Sequence, residues 1–93
     1  MSRLYPTAHA RRFTYGLPAF EIRGTQVFAT EHNGVYPPGV AAFEVRGTGL
    51  YPTEHNHRDF YGMPVFTIRG SRLFPTAHNA ADPPGIATLE MRP

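Results

Sequence analysis

Histidine stands at positions 9, 32, 55 and 78, and arginine at 23, 46, 69 and 92, so two side chains able to do chemistry recur at one spacing of 23 residues. Four imidazoles related in this way, turned toward a common axis, would make a ligand set that zinc, nickel or copper accepts. Metal-binding histidines more often come as close pairs such as HxxxH, whereas consecutive members of this column are 23 residues apart. The competing reading is that His9, His32, His55 and His78 each end a strand and bond to a loop or stack on a tyrosine, and this structural role is the expectation. His57 stands outside the column and reads as a surface loop residue.

Arg23, Arg46 and Arg92 each follow a glutamate by two residues (Glu21, Glu44 and Glu90), whereas Arg69 follows Thr67. On a strand that spacing puts both groups on one face, where an exposed ion pair contributes about 0–1 kcal/mol. Gathered on one rim, the same guanidinium groups would bind phosphate or carboxylate. Pairing is the expected role. Tyr15, Tyr36 and Tyr61, with Phe13 and Phe60, lie in segments that read as loops. Half or more of them should fold over the core, leaving the others as contact area for a protein, a sugar or a second copy of the chain. Catalytic chemistry finds little support: cysteine is absent, the serines are Ser2 and Ser71 at turn positions, and neither a glycine-rich phosphate loop nor paired catalytic carboxylates can be placed.

These columns belong to a repeat that spans the chain after Met1. Residues 2–24, 25–47, 48–70 and 71–93 align without a gap, with Thr7, Thr30, Thr53 and Thr76 and also Gly16, Gly39, Gly62 and Gly85 identical in every copy. A period of 46 is laid over the first, because Tyr15 and Tyr61 alternate with Pro38 and Pro84. Repeats of this size are supersecondary units that gain a core from their neighbours. Each copy holds two strand-like runs, Leu4 to His9 and Pro18 to Arg23 with their equivalents, and proline and glycine spacing disfavours helix. Gly24-Thr25, Gly47-Thr48 and Gly70-Ser71 read as two-residue type II′ turns, which need a glycine at φ > 0 in first place. That turn puts Ile22 opposite Val27 and Phe20 opposite Ala29 on an apolar face, with Arg23 opposite Gln26 and Glu21 opposite Phe28 on the other. Because the repeat borders fall inside the hairpins, the first and last runs are left without sequential partners. Their pairing predicts an all-β, shallow, closed eight-stranded antiparallel barrel or ring with pseudo-four-fold symmetry and paired termini. Longer loops fall at residues 10–17, 33–40, 56–63 and 79–86.

The pattern LYPTEHN, a turn, then YGxPxFEIRG and a further LYPT or VFAT, four times over, resembles the bacterial four-fold β-flower proteins. The resemblance implies a shallow ring of antiparallel strands with hairpin petals and no established activity. The likeness of that shape to tubby-like lipid-binding barrels is one of fold and assigns no function. Thr67 in place of glutamate and Leu89 in place of phenylalanine depart from the pattern, which argues against a strictly four-fold site containing the acid.

At 93 residues the chain is one domain, 1–93. Its nine cations, all arginine, and seven acids give a net charge of +2, spread too thinly for a nucleic-acid footprint. No apolar run approaches a spanning helix, the N-terminus lacks a signal-peptide profile, and no cysteine calls for an oxidising compartment, so a cytoplasmic protein is expected. The leading expectation is a non-enzymatic binding module for a protein or small-molecule ligand, with no cofactor. The alternatives are a metal-binding protein built on the histidine column and a membrane-surface module that reads anionic headgroups. A shallow ring also leaves one end uncovered, through which two copies would pair as a homodimer.

Overall fold

A computed structural model describes residues 2–93. Eight short strands follow one another: β1 (Ser2–Pro6), β2 (Phe20–Arg23), β3 (Gln26–Ala29), β4 (Ala41–Arg46), β5 (Gly49–Pro52), β6 (Phe66–Arg69), β7 (Arg72–Pro75) and β8 (Leu89–Arg92). Each pairs antiparallel with its neighbours in sequence, and β1 pairs with β8 to close the barrel. The closing seam matches Arg3 with Arg92, Leu4 with Met91, Tyr5 with Glu90 and Pro6 with Leu89. No helix among the described residues is long and apolar enough to cross a membrane.

The expected hairpin register is present: Phe20 faces Ala29, Glu21 faces Phe28, Ile22 faces Val27 and Arg23 faces Gln26. The connecting glycines Gly24, Gly47 and Gly70 have φ of 62°, 60° and 62°, and no other residue type has positive φ, as a type II′ turn requires. At the closing seam, Pro93 and Ser2 take the places of that glycine and its follower.

Two boundaries differ from the sequence expectation. The first strand of each copy stops at Pro6, Ala29, Pro52 or Pro75 instead of running to the histidine. There the threonine hydroxyl takes over: Thr7, Thr30, Thr53 and Thr76 accept the N–H of His9, His32, His55 and His78 at 3.1–3.2 Å, which bends the chain into a turn. The same hydroxyls donate to the carbonyls of Ala87, Pro18, Ala41 and Pro64 at 2.5–2.7 Å. The threonine column is therefore a clamp between adjacent segments. In three copies the second strand starts late, at Phe20, Phe66 and Leu89, whereas β4 begins where expected, at Ala41. Alternation fails at these starts: Ala19 and Phe20 are both buried, as are Ala42 and Phe43, and Val65 and Phe66. Two successive inward residues are the mark of a bulge, and the β3·β4 ladder shifts between Val27 and Phe28.

The core is built in rings. Leu4, Val27, Leu50 and Leu73 form one, and Phe20, Phe43, Phe66 and Leu89 the next, all fully buried. The phenylalanines meet edge to face, with Phe20 5.8 Å from Phe43 and Phe43 5.8 Å from Phe66. Leu89 interrupts this belt. Ile22, Val45, Ile68 and Met91 pack against the core at the tight-turn end and stay partly exposed. Extents of 30 × 28 × 22 Å make the barrel shallow, as strands of four to six residues require.

Pro93 and Ser2 stand where the other seams have a two-residue turn, so the chain should tolerate permutation. A version with residue 93 joined to Ser2, proline 93 replaced by glycine, and new ends at Gly47 and Thr48 is expected to unfold in one transition near the parent's melting temperature. An ill-packed or aggregated product would contradict the closure. A second expectation concerns Thr88, buried where the other copies have Ala19, Ala42 and Val65, with its hydroxyl unpartnered. Thr88→Val keeps the shape and removes the stranded group, so urea denaturation should show a gain of about 1 kcal/mol.

Candidate functional site

The long loops that follow each turn send one equivalent position inward. Phe13, Tyr36, Asp59 and Asp82 occupy it, and together they cover the loop end of the barrel. Phe13 and Tyr36 stack on Phe20 at 5.5 and 5.7 Å. The Tyr36 hydroxyl donates to Asp59 at 2.6 Å, and Arg12 donates to Asp82 at 3.3 Å while its guanidinium lies 5.1 Å from the Phe13 ring. Burial pushes the Tyr36 hydroxyl up to about 12, with Asp59 adding to the effect and Arg12 opposing it. Burial works against the charge of Arg12, but Tyr36 and Asp82 more than offset this and raise its pKa.

Each of these loops except the first is held by a buried asparagine. Asn33, Asn56 and Asn79 donate to the carbonyls of Ala19, Ala42 and Val65, and their side-chain oxygens accept two backbone N–H groups of their own loop. The first copy has Ala10 at this position. Sequence reasoning missed these residues, although the His-Asn pair in three copies was a visible signal.

Tyr36 is thus withdrawn from the candidate binding set: it is 4 % exposed and tied into the cap. Tyr15 and Tyr61, at 70 % and 69 %, remain on the surface, as does Phe60. The histidines do not converge. All four are exposed, and His9, His32 and His55 each line a different groove on the outer wall. No group of three or more potential ligands able to hold a metal forms among the described residues.

The arginine column is also dispersed. Arg23, Arg46 and Arg92 bond to Glu21, Glu44 and Glu90 at 2.9, 2.9 and 3.1 Å, whereas Arg69, beside Thr67, has no such acid. Every one of the four lies over an aromatic ring of the adjoining strand: Phe28, Tyr51, Phe74 and Tyr5, at 4.7–4.9 Å. Each guanidinium is therefore occupied within its own hairpin, and the column does not gather into an anion-binding rim.

What the structure does assemble is a set of grooves between hairpins. The largest, about 440 Å³, lies beside the closing seam under Tyr15, with His9, Arg72, Glu90 and Arg92 in its walls. Across the barrel, two adjoining hollows of about 290 and 300 Å³ share Gln26, Ala41 and His55, the first of them lined also by Tyr61. Every residue lining the first groove has a counterpart 46 positions away lining the second. The groove of about 390 Å³ between them has Pro38 at the tyrosine position. No family model, curated protein or solved structure matches the chain.

The cap makes a pH-dependent contribution. A tyrosine whose pKa rises from 10.0 to about 12 on folding stabilises the fold fully below pH 10 and loses that contribution as pH climbs toward 12, by roughly 2–3 kcal/mol. Urea titrations at pH 8, 10 and 12 should show this loss in the parent and a smaller one in Tyr36→Phe. Equal losses would separate the cap from alkaline unfolding.

Proposed function

We propose that the protein is a non-enzymatic binding module whose ligand sites are the two tyrosine-covered grooves on opposite sides of the barrel wall. The observation that carries this reading is their correspondence. His9, Tyr15, Glu90 and Arg92 in one groove match His55, Tyr61, Glu44 and Arg46 in the other, while the seam between them has a proline in the tyrosine's place.

Each groove joins an exposed aromatic ring to fixed polar groups, a combination suited to a small molecule or a short segment of chain. The Glu–Arg pair is held by its stack on Tyr5 or Tyr51 and so presents its remaining donors in a set direction. The histidine backbone is placed by the threonine clamp, with its ring exposed on the groove wall. Tyrosine supplies contact area at low entropy cost. The eight-stranded ring agrees with the architecture that the β-flower resemblance implies, which speaks for fold and for no activity. The absence of cysteine fits a role in the cytoplasm.

The reading is tested by ¹H–¹⁵N NMR mapping with a small mixture of aromatic acids, aromatic amines and neutral sugars. Perturbed amides should concentrate around Tyr15 and Tyr61, and Tyr15→Ala and Tyr61→Ala should each weaken binding several-fold with little change in melting temperature. Perturbations confined to the Arg12–Tyr36 cap, or to the end formed by Ile22, Val45, Ile68 and Met91, would sink it.

A further inference from the structure

The two tyrosine-covered grooves share a shape but not a charge. They differ at Ala8 against Glu54, Arg72 against Gln26, and Ile86 against Val40. The first groove therefore holds two arginines and one glutamate, and the second one arginine and two glutamates. Because the chemistry around these positions is otherwise the same, the difference in sign falls on the ligand.

The availability of the groups sharpens the contrast. In the first groove Glu90 is engaged by Arg92 at 3.0 Å. Arg72 lies in register with Glu90 across β7 and β8, yet among the described residues its exposed guanidinium makes neither an ion pair nor a side-chain hydrogen bond. Its donors are open to an incoming oxyanion, to which guanidinium binds in a forked geometry. His9 has Ala8 beside it and no acid within ion-pair distance. In the second groove Arg46 is held by Glu44 at 2.9 Å, and Glu54 stands 3.8 Å from the imidazole of His55. An anion entering there meets a second carboxylate, set beside the His55 imidazole, and no free arginine.

We propose that the groove under Tyr15 takes an oxyanion, a carboxylate or a phosphate monoester carried on a planar or apolar body, and that the groove under Tyr61 rejects it. Arg72 binds the oxyanion, while Tyr15 and Ile86 cover the body of the ligand. The proposal rests on reading the grooves as binding sites and adds the class of ligand. Because the site is open to solvent, binding should weaken with salt.

The test is an NMR titration of the full chain with phenyl phosphate, benzoate and benzylamine as separate probes, at low and at high salt. The two anions should shift the amides of His9, Tyr15 and Arg72 and leave those of His55, Tyr61 and Arg46 in place, and benzylamine should not move the first set. The phosphate and carboxylate arms then rank the two sources of the oxyanion. All four exchange positions are exposed, so the groove charges can be traded without touching the core. Ala8→Glu combined with Arg72→Gln should weaken anion binding about tenfold or more, and Glu54→Ala combined with Gln26→Arg should create it in the second groove. Anions that shift both grooves alike, or exchanges that leave the preference unmoved, would overturn the charge assignment while leaving two binding sites. Silence at both grooves toward all three probes would remove the sites themselves.

Discussion

Strands of four to six residues bury too little to stand in isolation, and a row of them would leave a raw edge at each end. The pairing of β1 with β8 removes both edges at once. It also sets the curvature that turns Leu4, Leu50 and Leu73, with Val27, into a closed ring and draws the phenylalanines into edge-to-face contact. The grooves follow from the same closure, since the largest of them lies against the closing seam, with Arg72 and Glu90 from the last two strands and His9 and Tyr15 from the start of the chain.

The threonine clamp turns this ring into a set of seams. One hydroxyl ties the end of a strand to the carbonyl of the segment beside it and receives the N–H of the histidine two residues on. The imidazole is thereby held on the outer wall. The asparagine that follows plugs inward and braces the long loop against the bulged alanine or valine. In the three copies that read Thr-x-His-Asn, three polar residue types thus divide the labour between backbone, surface and interior.

Much of the fold was legible because it rests on local rules. The turn glycines, the alternation in FEIR and FTIR and the gapless repeat together dictated the register and the closure. The strand ends were not legible, since threonine suits both a strand and a turn, and only the carbonyl of a distant segment decides which it joins. The cap was legible only in its aromatic half, since loop aromatics such as Phe13 and Tyr36 were expected over the core. Phe13, Tyr36, Asp59 and Asp82 look unlike one another, and their shared inward direction emerges only when four loops meet. The site was half legible: Tyr15 and Tyr61 stood out by their period of 46, but Arg72 belongs to no column and acquires meaning only from its place beside Glu90.

The repeat borders fall within hairpins, so any half of the chain has one complete hairpin and a lone strand at each end. A polypeptide of two repeats could satisfy those strands only by lending them to a second copy, which makes the present molecule equivalent to such an exchanged pair fused into one chain. In an exchanged pair every substitution appears on both sides together. In one fused chain the two walls can differ, and they do: one carries Arg72 where its twin has Gln26, and the twin carries Glu54 where the first has Ala8, on a scaffold they share.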